Sequence, residues 1–206
     1  MDRLGTRLTE RRVNTETGEF SGYGAVFGNL DSHGDRISRG AFSKTLGSWK
    51  ANGRLPHMRL MHADSGSIWD NLPIGIWTDM REDPHGLFVR GKLLALDTDY
   101  GRRLLSLMDS GALDGLSIGY SVIKRTPGNG DTKRWLDELR LFEISVVDDP
   151  SNYAARVSSV SAMDDALSNL REALSGLNST PATAYDIAAA KLSAALRAQE
   201  HDLCRK

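Results

Sequence analysis

Between residues 20 and 147 the hydrophobic positions fall in short runs of Val, Ile, Leu, Phe, Tyr and Trp, separated by Gly, Asp and Asn. That spacing predicts strands over 20–27, 54–61, 74–80, 87–94, 116–124 and 139–147. In the fifth run Leu116, Ile118, Tyr120 and Val122 point one way, while Ser117, Gly119 and Ser121 point the other. Two helical periods interrupt the strands. Phe42, Leu46 and Trp49 recur at i, i+4, i+7. Tyr100, Leu104, Leu107 and Met108 line one face, with Asp97 or Asp99 as the expected N-cap and Gly111 as the stop. The run 126–131, which contains Asn129-Gly130, predicts a mobile hairpin loop joining the fifth and sixth strands, since Asn-Gly accepts positive φ. Six strands suffice for a small closed or partly closed barrel with helices on its outside. The expected class is mainly β with flanking helices (α+β).

After residue 160 the composition shifts to Ala, Leu, Ser and Asp. Met163, Leu167, Leu170 and Leu174 keep a helical period, and Pro181 stands where a second helix can begin. The chain is therefore divided into a β domain over 1–160 and a helical tail over 161–206, too thin in apolar surface to form its own core.

The charge balance, 26 Lys+Arg against 27 Asp+Glu over 206 residues, argues against a protein whose main task is neutralising nucleic-acid phosphates. No apolar run approaches the roughly 20 residues of a membrane span. The polar start, MDRLGTRLTERRV, differs from a secretory signal. Lone Cys204 removes disulfides as a framework. A reducing compartment, with neither nucleic acid nor membrane as partner, is the expectation.

Gly115-Leu116-Ser117-Ile118-Gly119 matches the G-x-S-x-G expression of a nucleophile elbow. The context does not. An elbow joins a strand to a helix and precedes its histidine, whereas here a strand follows and the only later histidine is His201. Ser117 is thus either one of the small residues on a packed strand face or a nucleophile of another kind. Glu143 sits inside Leu141-Phe142-Glu143-Ile144-Ser145-Val146-Val147. An ionised carboxylate there costs several kcal/mol unless paired and hydrogen-bonded, so Glu143 either faces water on an edge strand or has a partner.

Five histidines are available. His33, in Asp31-Ser32-His33-Gly34-Asp35, and His85, after Asp83-Pro84, have turn neighbours. His201 is in the tail. His57 and His62 remain, five apart, a poor spacing for ligands of one metal. His62 ends an apolar strand, where the scaffold can hold a side chain facing an opening. A serine is inert until a base takes its proton, and that base needs an orienting group. Ser117, His62 and Glu143 supply the set, from three separate predicted strands.

These residues, with others in order along the chain, carry a resemblance. Gly22-Tyr23-Gly24-Ala25-Val26-Phe27, Asp31-Ser32-His33-Gly34-Asp35 and Gly40-Ala41-Phe42 come first. Leu60-Met61-His62, Pro73-Ile74-Gly75 and Gly86-Leu87 follow. Gly111-Ala112-Leu113-Asp114-Gly115-Leu116-Ser117-Ile118-Gly119-Tyr120 and Glu143-Ile144-Ser145-Val146-Val147, with Pro150 and Asn152, complete the set. Together they resemble the prohead (head-maturation) proteases of tailed bacteriophages, the HK97 type, over about residues 18 to 160.

The resemblance implies a herpesvirus assemblin-like barrel of six to seven strands and a serine endopeptidase. Ser117 would be its nucleophile, His62 its general base and Glu143 the residue orienting His62. It implies no metal or organic cofactor. It further implies scaffold and major capsid protein precursors as partners, a homodimer, self-cleavage of the tail, and a place inside the assembling prohead in the host cytoplasm. Where relatives often show Trp-Gln-His-Asp, this chain has Leu60-Met61-His62-Ala63-Asp64, which confines the inference to the imidazole itself. Two other readings stay open: a non-enzymatic capsid-assembly or scaffolding protein, and an esterase. Spacing alone leaves the oxyanion donors and the cleavage-site preference unassigned.

Overall fold

Alternation along the apolar runs becomes a single twisted sheet in the computed structural model, which describes residues 13–64 and 71–158. The described elements are, in order, β1 (Glu19–Val26), β2 (Asp35–Ile37), α1 (Ser43–Ala51), β3 (His57–Leu60), β4 (Gly75–Glu82), β5 (Gly86–Leu93), α2 (Asp99–Asp109), β6 (Gly115–Pro127), β7 (Arg134–Val147) and β8 (Val157–Ser158). All six predicted strands and both predicted helices of the β domain form. The expected tail over 161–206, with His201 and Cys204, lies outside the described residues.

β2 and β8 were not expected. With three and two residues they are too short to show a period, and β2 lies in what reads as a turn. Tertiary pairing makes it a strand: Asp35, Arg36 and Ile37 align in parallel with Arg134, Trp135 and Leu136. The Arg134 guanidinium also forks onto the buried Asp35 carboxylate.

The sheet runs β2-β7-β3-β4-β5-β1-β8, and β6 pairs with β7 off that path. β7 is the central element. β6 follows it antiparallel from Pro127↔Arg134 to Gly115↔Val147, while β2 and β3 share its opposite edge in succession. Among the described residues the sheet does not close into a barrel. β8 pairs with β1 over two residues, and Arg156 just before it forms an isolated bridge to Gly115 of β6, so among these residues no ladder seals the sheet. Gly22 permits even this approach, because a Cβ there would stand 2.4 Å from the Arg156 carbonyl oxygen.

Two local expectations are corrected. Thr98, rather than Asp97 or Asp99, caps α2: its backbone is extended and its hydroxyl accepts from the Gly101 N–H at 3.1 Å. Between β6 and β7 only Gly130 takes a positive φ, 56°; Asn129 does not. The connection spans residues 128–133 and closes through Gly128 N–H to the Lys133 carbonyl, at 3.0 Å, so the doubly left-handed turn of a two-residue hairpin is not needed.

One irregularity on β7 decides which side chains face which way. Gly119 pairs with Glu143 and Tyr120 with Leu141, so the ladder skips Phe142. Before this bulge the core-facing residues of β7 are Leu139 and Leu141; after it they are Ile144 and Val146. β6 keeps its parity, with Leu116, Ile118, Tyr120 and Val122 all on the core cluster as the alternation predicts. Glu143 and Ser145 are thereby turned to the opposite face, together with Ser117 and Gly119. Bulges that re-aim a side chain in this way are common beside active sites. Beneath them Phe20, Met58, Leu87, Leu116 and Ile144 are fully buried, and Phe20 meets the Trp77 ring edge-on at 5.6 Å between centroids.

Candidate active site

Ser117 is the third residue of β6, on the face lined by small residues, and it sits in register with Ser145 of β7. Glu143 lies on β7, which is flanked on both sides, and is only 9% exposed. The edge-strand reading of Glu143 is therefore excluded. Gly119, its register partner, makes the room. A Cβ at that position would stand 2.4 Å from Glu143 Oε1.

His62 is not on a strand. β3 ends at Leu60, and the chain turns through Met61, His62 and Ala63 with φ of 47°, 59° and 62°. Three successive left-handed residues without glycine cost about 1–2 kcal/mol each. Such strain persists where surrounding contacts over-determine it. Here the Asp64 N–H closes the turn on the Met61 carbonyl at 3.2 Å, and the His62 N–H donates to Ser145 Oγ at 3.1 Å. The left-handed turn swings the imidazole over β7 toward β6.

There the ring bridges the other two candidates. His62 Nδ1 lies 2.7 Å from Glu143 Oε1, and Nε2 lies 2.9 Å from Ser117 Oγ. An ionised carboxylate only accepts, so Nδ1 carries the proton; Nε2 of the neutral ring is then an acceptor and the Ser117 hydroxyl donates to it. The second carboxylate oxygen, Oε2, accepts from the Ser145 hydroxyl at 2.6 Å. All three residues singled out from the sequence meet at one place. Ser145, two residues beyond Glu143 on the same face, was missed; the only signal was a hydroxyl inside an otherwise apolar run.

The hydrogen bond to Glu143 is the main cause that raises the His62 pKa above its ordinary value. Burial opposes it, and the charges of Glu143 and Asp64 add to the rise. With its side chain 37% exposed, the ring remains open to a reactant. Beside it is a cavity of about 160 Å³, lined in part by Ala25, Asp31, His33, Tyr120, Ser117 and His62.

The other described histidines do not join this relay. His33 is in the expected turn, where Asp31 Oδ1 accepts from the His33 and Asp35 N–H groups at 2.9 and 2.8 Å. The His85 turn forms the same way on Asp83. His57 aligns with Glu143 across β3 and β7 and is exposed. Asn152, part of the acidic motif, ties loops together: it accepts from the Asn29 amide at 2.9 Å and donates to the Val26 carbonyl at 3.0 Å.

Because Gly119 leaves no space for a methyl group, Gly119→Ala is expected to push the Glu143 carboxylate off the imidazole. A displacement near 1 Å costs about 10²-fold in rate, and the overpacking destabilises the fold by about 1–3 kcal/mol. Turnover measured beside thermal melting checks this; wild-type turnover would show that Glu143 does not need its present position.

Comparison with known proteins identifies the family. The family described as caudovirus prohead serine protease matches residues 6–169. The prohead protease of Enterobacteria phage HK97 is 35% identical over 148 residues, 71% of this chain and 62% of that protein, so the chain spans about three-fifths of that relative's length. Among solved structures, the capsid assembly protease gp21 of bacteriophage T4 superposes with a TM-score of 0.50 at 13% identity, covering 63% of this chain and 80% of that one, a likeness of fold alone. This chain belongs to the caudovirus prohead serine protease family.

Proposed function

We propose that this chain is a serine endopeptidase of prohead maturation, cleaving scaffold and capsid-protein precursor segments inside the assembling shell in the host cytoplasm. The observation that carries this reading is the continuous relay from Ser117 Oγ through His62 to Glu143 at 2.9 and 2.7 Å. A scaffolding protein without catalysis has no use for a strained turn and a buried carboxylate that together aim an imidazole at a serine. Family membership supports the substrate class. The tail over 161–206 is read as a segment that delivers the enzyme to the scaffold and is trimmed afterwards, the chain acting as a homodimer. The curl of the sheet, with Arg156 bridging to Gly115 of β6, is read as a partly closed, assemblin-like barrel.

In the proposed reaction the Ser117 oxygen attacks the scissile carbonyl carbon as His62 Nε2 takes the hydroxyl proton. The imidazolium, held by Glu143, then protonates the departing amine as the C–N bond breaks. Water, deprotonated by His62, attacks the acyl-enzyme, and its C–O bond to Ser117 breaks to release the acid and restore the hydroxyl. Incubating the purified chain with the capsid-protein precursor tests the reading. Discrete fragments, absent with the Ser117→Ala variant, are expected; an intact precursor under conditions that support shell assembly would overturn it.

The raised His62 pKa sets the pH dependence. His62 accepts a proton only when neutral, so the acid limb of kcat/KM is expected above the ordinary histidine value of about 6.5. Stability runs the other way. A pKa raised in the folded state stabilises the fold fully below about 6.5, and that contribution is lost as the pH climbs through the raised value. Rate profiles and melting temperatures from about pH 5 to about 9 should cross in this sense. An acid limb at or below the ordinary value would mean that the Glu143 contact does not govern the base.

A further inference from the structure

Ser145 does not touch the cavity beside Ser117, and its position on β7 places it behind the reacting groups. It is nonetheless the point where two of them are joined. Its side chain is fully buried, it makes two hydrogen bonds, and both run to the site. The hydroxyl proton goes to Glu143 Oε2 at 2.6 Å, and the oxygen accepts the His62 backbone N–H at 3.1 Å. The ring of the same histidine holds the other carboxylate oxygen at 2.7 Å. Carboxylate, imidazole, left-handed backbone and hydroxyl thus form a closed loop in which each link restricts the others.

We propose that Ser145 is a positioning residue: it locks the Glu143 carboxylate and the strained His62 backbone in mutual register, so that Nε2 is aimed at Ser117 before substrate arrives. The inference rests on the proposed protease reading and deepens it. Three features argue for it. The turn over Met61–Ala63 contains no glycine to make positive φ easy, so an outside contact is needed to hold it. Backbone and ring of His62 are fixed at separate points, which defines the tilt of the imidazole as well as its location. A carboxylate held at one oxygen can rotate about its last torsion, which is broad for glutamate; held at both, it cannot. Supporting groups of this kind typically change activity by about 10–100-fold when removed from metal sites, and the same positional logic applies here.

Valine or alanine at this position would satisfy burial as well as serine does, so a merely space-filling role predicts that the hydroxyl is dispensable. The test compares full-length wild type with Ser145→Ala, Ser145→Cys and Ser145→Thr, at a temperature where melting curves show each variant folded. The readouts are kcat and KM on a peptide substrate and the rate at which a serine-directed phosphonate labels Ser117. For Ser145→Ala we expect kcat and the labelling rate to fall together by about 10–100-fold with KM unchanged. Ser145→Thr, which keeps the hydroxyl, should recover most of the loss. Ser145→Cys keeps the volume with poor hydrogen bonding, so it should follow alanine, and it decides the matter if the alanine variant does not fold.

Wild-type kcat and labelling in Ser145→Ala or Ser145→Cys would overturn the positioning role, as would a loss confined to KM. Ser117→Ala run beside them keeps the two levels apart. If that variant still cleaves the substrate, the assignment of Ser117 as nucleophile fails, whatever Ser145 does; if wild type itself cleaves nothing, the protease reading fails.

Discussion

Replacing Ser117 by alanine is expected to lower kcat by about 10⁶-fold, the scale on which a serine protease responds to loss of its nucleophile, while leaving the melting temperature nearly unchanged. The size of the first effect follows from chemistry. Without the oxygen there is no acyl-enzyme, and what remains is whatever binding and electrostatic stabilisation the site gives to attack by water. The smallness of the second follows from structure. The hydroxyl donates to an imidazole that is itself 37% exposed, and β6 presents small residues on that face, so no core packing is lost; changes at such positions stay within about 0.5 kcal/mol. Cleavage assays beside calorimetry check both halves. A variant that melts normally and still processes substrate would remove Ser117 from the reaction.

Glu143→Gln is expected to cost about 10⁴-fold in kcat, through the tautomer of His62 and not through a change of shape. Ser145 Oγ already accepts the His62 backbone N–H, so its own proton needs an acceptor, which Glu143 Oε2 now provides. In the glutamine variant the amide carbonyl best fills that role, which turns the amide NH₂ toward His62 Nδ1. A ring nitrogen facing a donor must be the unprotonated one. The proton then moves to Nε2, which can no longer accept from Ser117. The same change removes the principal cause that raises the His62 pKa, so its titration should shift toward lower pH. Nitrogen-resolved NMR of the imidazole, with kcat, follows both consequences. A rate within tenfold of wild type and an unshifted titration would return Glu143 to a structural role.

Much of this site was legible in the sequence, for reasons that differ residue by residue. Ser117 stood out because strict alternation on β6 placed it among small residues opposite an apolar face, and β6 keeps its parity through the whole core-facing stretch. Glu143 stood out because a carboxylate inside an apolar strand needs a partner. Its facing could not be read. Leu141 and Glu143 are two apart and by simple alternation share a side, yet the bulge at Phe142 separates them, and nothing in Arg140-Leu141-Phe142 announces a bulge. His62 was reached by setting aside the histidines in turns. Its own turn was invisible, since Met61-His62-Ala63 contains neither glycine nor asparagine to signal positive φ; the turn exists because Ser145 and Glu143, more than eighty positions away, hold it. β2 and β8 were hidden for a related reason, their pairing being made by distant strands and not by local pattern.

In the proposed site the hydroxyl of Ser117 is made nucleophilic by His62 held on Glu143. Mass-spectrometric mapping of a serine-directed phosphonate on the intact chain tests it most directly. The predicted result is a single adduct on Ser117 that is lost in His62→Ala and forms far more slowly in Glu143→Gln. An adduct on another residue, or undiminished labelling of Ser117 in the absence of the imidazole, would contradict it.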